Sequence, residues 1–111
     1  MAIVAVILFA LTIMGGVYLL TYILAEKNTP KGVAIIHGSA GALGIISLLI
    51  ASFFYHSLFY ILIIFIAAAI GGGVLFYLDL CGKKIPKVLA LGHGIIAIIG
   101  FIILAIVVFH K

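Results

Sequence analysis

Apolar residues in this chain do not alternate with polar ones. They come in four long runs, at about 2–24, 32–54, 57–79 and 87–109. Each run holds roughly the 20 apolar residues that a helix needs to cross a bilayer. Ile, Val and Phe are abundant in the runs, and in water such residues favour strands. Inside lipid, every backbone N–H and C=O must be satisfied within the segment, which open strands cannot do. A barrel would require strands of alternating polarity, and the runs show none. The pattern therefore predicts an all-α membrane protein of four transmembrane helices.

The polar interruptions are short. Glu26-Lys27-Asn28-Thr29-Pro30-Lys31 joins the first two runs, Tyr55-His56 the next two, and Asp79 to Pro86 the last two. Links this short make consecutive helices antiparallel neighbours in a bundle. Asn28 and Thr29 are expected to cap the second helix, with Pro30 in its first turn, and Pro86 to do the same before the fourth. The first and third loops, with Lys87 immediately after the third, hold five of the six lysines. By the positive-inside rule these loops are cytoplasmic and both termini are outside, with Lys111 opposing. Tyr55, Phe59 and Tyr60 mark the outer interface, Tyr22 and Tyr77 the inner one. The expected location is a bacterial inner membrane.

A shift of 56 residues aligns the chain with itself without a gap. Of 55 aligned pairs, 17 are identical, against about six expected from this composition. Gly15-Gly16 aligns with Gly71-Gly72, Lys27 with Lys83, Pro30-Lys31 with Pro86-Lys87, His37-Gly38 with His93-Gly94, and Gly44 with Gly100. The single membrane domain, 1–111, thus reads as two tandem helical hairpins, about 1–55 and 57–111. Each hairpin returns to its starting side, so the repeats run parallel and a pseudo-two-fold axis along the membrane normal is predicted. His37 and His93 then lie at one depth on equivalent helices.

Composition narrows the function. The chain has 111 residues, 68% hydrophobic and 7% charged, whereas about a quarter of a soluble domain is charged. Its net charge is +4, but the lysines sit in two loops and at the C-terminus instead of along a face. That does not suggest a nucleic-acid partner, so none is expected, and it points to lipid phosphates. Cys81 is the only cysteine, so neither an intrachain disulfide nor a CxxC pair can form. No lysine or arginine precedes the first run and no A-x-A site follows it, so it is expected to remain in the mature protein.

The histidines carry the candidate chemistry. Each stands seven residues after its proline, roughly 10 Å inside the cytoplasmic boundary, where an ionisable residue is a functional candidate. One helix face joins His37 to Ala34, Gly41 and Gly44, and His93 to Ala90, Ala97 and Gly100. Gly15, Gly16, Gly71, Gly72 and Gly73 fall at similar depth on their own helices. Three readings follow. The small residues serve close helix packing, with the histidines bonded across it. Or they leave room for a flat cofactor, haem b, with His37 and His93 as ligands to its iron and Gly15, Gly16, Gly41, Gly44, Gly71, Gly72 and Gly100 as its walls. Or the histidines line a proton or solute pathway. The cofactor plan resembles that of four-helix membrane b-type cytochromes, in architecture and in the two His-Gly positions. With no arginine in the chain, Lys27, Lys31, Lys83 and Lys87 are the groups that would hold propionates.

Other constellations add little. His56 and His110, at the outer ends, read as interfacial side chains or as ligands of a second cofactor. Gly71-Gly72-Gly73 lies inside a span and is no phosphate loop. Asp79 and Cys81 are half a metal site at most, or a solvated turn. None of Thr12, Thr21, Ser39, Ser47 and Ser52 has a base beside it in sequence, and no carboxylate lies deep in a span to couple ion transport. The expectation is an electron carrier or redox subunit more than a stand-alone enzyme, exchanging with a quinone or redox protein, alone, as a homo-oligomer or in a larger membrane complex. The alternative is a non-catalytic membrane subunit or assembly protein.

Overall fold

The computed structural model describes Met1–His110; Lys111, the residue that opposes the predicted orientation, lies outside the described residues. Four helices account for most of the chain: α1 (Ala2–Leu24), α2 (Lys31–Ser52), α3 (Ser57–Leu80) and α4 (Lys87–Phe109). Each is long and apolar enough to cross a membrane, consistent with an integral membrane protein. Each packs on two neighbours, α1 and α3 both lying against α2 and α4. The pairs α1/α3 and α2/α4 face each other across the axis of a bundle measuring 43 × 22 × 19 Å.

The helix ends follow from local chemistry and correct several expectations. Neither Asn28 nor Thr29 caps α2. Pro30 is the N-cap residue, with an extended backbone and no side-chain acceptor, and Pro86 does the same for α4. Their carbonyls open the helices by accepting from Ala34 and Ala90. The Thr29 hydroxyl donates instead to the Asp79 carboxylate at 2.5 Å. Asp79 belongs to the last turn of α3, not to the loop. Helix α2 stops two residues short of the expected 54. There the amides of Phe53 and Phe54 turn back to the carbonyls of Ile50 and Ala51, the tighter i−3 pattern of a terminating turn.

Two C-terminal caps are built alike, 56 residues apart. The Lys27 amide bonds to Tyr22 O and the Glu26 amide to Ile23 O; the Lys83 amide bonds to Leu78 O and the Gly82 amide to Asp79 O. This is the Schellman arrangement, which needs a residue of positive φ just past the helix. Gly82 adopts φ 68 at no steric cost, but at the first cap the position is Glu26, at φ 58.

The interior is small. Its centre is a pair of stacked rings, Phe9 of α1 and Phe65 of α3, with centroids 3.8 Å apart and planes 4° from parallel. Leu48, Leu58 and Leu104 are sealed around them. Gly44 and Gly100 supply the clearance: a Cβ at Gly44 would stand 2.8 Å from Phe9 Cε1, and one at Gly100 3.2 Å from Phe65 Cζ. Most other large apolar side chains point outward, Ile36, Ile70 and Val88 at 69%, 66% and 83% exposure. At the lysine-bearing end the hairpins are tied by ion pairs. Lys31 Nζ donates to Asp79 at 2.7 Å, and Glu26 draws Lys84 at 3.4 Å and Lys87 at 3.7 Å.

Left-handed backbone costs a residue with a Cβ about 1–2 kcal/mol. Glu26→Gly is therefore expected to stabilise the protein by about 1 kcal/mol, and Gly82→Ala to destabilise it by a similar amount. Thermal unfolding in detergent measures both. A loss of stability in Glu26→Gly would mean that its pairs with Lys84 and Lys87 outweigh the strain.

Candidate functional site

An imidazole within an apolar bundle needs a hydrogen-bond acceptor. For each inner histidine the acceptor is a main-chain carbonyl of the preceding helix. His37 Nδ1 donates to Thr12 O at 2.7 Å, and His93 Nδ1 donates to Ala68 O at 2.7 Å. Both acceptors lie within helices, where a carbonyl already takes the amide four residues on. The second lone pair is open to a side chain only if the helix surface beside it is bare. Glycine makes it bare. A Cβ at Gly16 would stand 2.9 Å from His37 Cε1, and one at Gly72 would stand 2.9 Å from His93 Cε1. Gly15 and Gly71 floor the same recesses, with clearances of 3.5 and 3.8 Å to the histidine Cβ atoms.

The bond settles the tautomer. A carbonyl oxygen only accepts, so Nδ1 carries the proton and the neutral ring keeps a bare lone pair on Nε2. Neither Nε2 has a hydrogen-bond partner among the described residues, and both side chains are only half-buried. The two ring centroids are 6.2 Å apart, with planes at 86°. Two imidazoles bound on opposite sides of one metal ion, with metal–nitrogen bonds of about 2.0 Å, have centroids about 6 Å apart. In donor type and ring separation the pair matches two ligands of a single metal centre, and with planes at 86° it is equally an edge-to-face ring contact. The carbonyl bond on the distal ring nitrogen is the usual device that orients a ligating histidine.

The predicted walls stand differently. The space beside Gly15, Gly16, Gly71 and Gly72 holds the imidazoles themselves. Gly41 meets Thr12 Cγ2 at 3.4 Å, Gly44 meets the Phe9 ring, and Gly100 meets Ile64 and Phe65. All seven glycines expected to border a cofactor thus border side chains of this chain. A macrocycle set between the histidines must displace some of them, and the Phe9–Phe65 stack lies about one turn along α1 and α3 from the acceptor carbonyls.

The remaining candidates are dispersed. His56 is the N-cap residue of α3 and His110 the C-cap residue of α4, both exposed at the end away from the lysine loops. Cys81 is a free, exposed thiol. Among the described residues no group of three or more His, Cys, Asp or Glu side chains could hold a metal ion. Of the lysines expected at propionates, Lys31 is paired with Asp79, Lys87 lies near Glu26, and Lys27 lines a groove with Tyr18 and Tyr22. Sequence reasoning missed the acceptors Thr12 O and Ala68 O. The one available signal was the glycine pair that begins three residues after each of them.

The chain matches no family model, no curated protein and no solved structure.

A methyl group in either recess must push the imidazole off its carbonyl. Gly16→Ala and Gly72→Ala are each expected to cost about 1–3 kcal/mol of stability in detergent. Nitrogen-15 spectra of histidine-labelled protein should show Nδ1 protonated and Nε2 bare at both sites, and lose that signature at the substituted one. Unchanged stability and spectra in both variants would show that the recesses do not seat the rings.

Proposed function

We propose that this chain is an integral membrane electron carrier. In this reading two tandem hairpins are related by a pseudo-two-fold axis, and His37 and His93 would hold the iron of one b-type haem. The observation that carries the proposal is the pair of half-buried imidazoles, 6.2 Å apart, each with Nδ1 spent on a main-chain carbonyl and Nε2 unpartnered. Bilayer insertion is supported by four apolar helices whose outward faces are Ile, Leu, Val and Phe, a surface that water would not tolerate. The pseudo-symmetry is supported by contacts that recur 56 residues on: the two carbonyl acceptors, the two glycine recesses, the partners Phe9 and Phe65, and the two helix caps. The positive-inside rule would put the lysine loops in the cytoplasm, close to the histidines.

When bound, a bis-histidine haem supplies reversible one-electron transfer at its iron. The protein's own part is to hold both imidazoles with Nδ1 as the donor to a carbonyl and to keep the surroundings apolar. Main-chain acceptors do the first without introducing a charge. Loading the macrocycle would require Phe9, Phe65 or their neighbours to move, because the space beside the glycines is filled. The electron partner would be a quinone or a redox protein.

One observation favours a second reading. Each Nδ1 bond joins the two helices of one hairpin, α2 to α1 and α4 to α3. A non-catalytic membrane subunit could use the histidines solely as clasps.

An optical spectrum of the detergent-purified protein, oxidised and then dithionite-reduced, separates the two. The haem reading expects a sharp low-spin α-band on reduction, lost in His37→Ala and in His93→Ala. A colourless protein after expression with added haem would remove that reading. The clasp reading then expects lower stability, with no other loss, in both alanine variants.

A further inference from the structure

We infer that the groove formed by Tyr18, Tyr22 and Lys27 on the outside of α1 binds the phosphate of an anionic phospholipid, an inference that rests on the membrane reading above. The groove, about 350 Å³, is lined by Tyr18, Thr21, Tyr22, Ala25 and Lys27 at the lysine-bearing end of the helix. The two tyrosine hydroxyls are 3.0 Å apart and share one hydrogen bond. Whichever donates, the other keeps an O–H to offer. The Thr21 hydroxyl spends its proton on Tyr18 O, so it competes for neither. Lys27 has no partner among the described residues, and its ammonium carries three donors. The groove therefore presents a full positive charge and a spare hydroxyl donor, the complement of a phosphodiester.

Charge around the groove supports the assignment. The chain has two carboxylates. Asp79 is taken by Thr29 and Lys31, and Glu26 faces Lys84 and Lys87. Neither lines the groove. The C-terminal pole of α1 opposes an anion with roughly half a charge. There the carbonyls of Thr21, Tyr22 and Ile23 already accept from Ala25, Lys27 and Glu26, which leaves the Lys27 charge dominant. Tyrosine hydroxyls beside a lysine, within two turns of the helix end, suit the headgroup level of a bilayer.

The internal repeat provides the control. At the equivalent places in the second hairpin, Lys83 matches Lys27, but Val74 and Leu78 stand where Tyr18 and Tyr22 do. Diffuse attraction to an anionic surface would treat the two lysines alike. A built site would not.

Native mass spectrometry of the full chain, offered equal amounts of phosphatidylglycerol and phosphatidylcholine, reads the preference directly. The expected result is selective retention of phosphatidylglycerol. It should fall about fivefold in Lys27→Gln, the worth of one cation near an anionic headgroup, and also fall in the Tyr18→Phe/Tyr22→Phe pair, while Lys83→Gln keeps it. Equal losses in Lys27→Gln and Lys83→Gln, with the tyrosine pair neutral, would overturn the site. Displacement of the lipid by an equal concentration of inorganic phosphate would overturn the lipid assignment in favour of a free anion. Flotation with phosphatidylcholine vesicles is the separate check on insertion. A chain that does not float fails the membrane reading, whatever the lipid selectivity.

Discussion

Two imidazoles in an apolar bundle impose the constraint on which the rest of this structure depends. Each needs an acceptor that costs no charge, and in an all-helical bundle the one always available is a main-chain carbonyl. A helix normally hides its carbonyls behind the side chains of the next turn. Gly15-Gly16 and Gly71-Gly72 remove those side chains where His37 and His93 must reach in. Glycine is a poor helix residue in water. Here its smallness joins α1 to α2 and α3 to α4 at the same level, and fixes which ring nitrogen carries the proton.

The same economy of volume organises the layer beyond the histidines. Phe9 and Phe65 meet face to face because Gly44 and Gly100 lie beside the rings. The bundle thus consists of layers on one axis, a polar one of two imidazoles and an apolar one of two phenyl rings, each made by residues 56 apart. Between them they occupy the room beside Gly15, Gly16, Gly44, Gly71 and Gly72, and share with Ile64 that beside Gly100. Any group that joins the histidines must compete with the chain's own side chains for that room.

The lysine-bearing end is organised by electrostatics. The chain has two acids, and each meets lysines from the other hairpin: Asp79 of α3 takes Lys31 of α2, and Glu26 after α1 draws Lys84 and Lys87. These pairs are partly exposed and contribute little stability singly. Their effect is on charge distribution. With both acids engaged, Lys27 is left unpaired among the described residues, on the outside of the bundle beside Tyr18 and Tyr22, where the second hairpin has Val74 and Leu78.

Helix number, helix length and the two loops of like sign were legible in the sequence because they follow from apolar run length and from where charges interrupt it. The histidine pair was legible too, since a 56-residue repeat that preserves His37 and His93 sets both at one level. The role of the glycines was not. A glycine in a helix signals absent volume, and only the packed bundle decides which side chains stand beside it: here the imidazoles, Thr12, Ile64 and the two phenyl rings. Nor could sequence show that Thr29 forsakes the α2 cap for Asp79, 50 residues away. That choice depends on which helix ends the bundle brings together. Local chemistry determined the elements and their ends to within about two residues. Tertiary packing decided the partners, because a buried donor takes whichever acceptor the neighbouring backbone leaves bare.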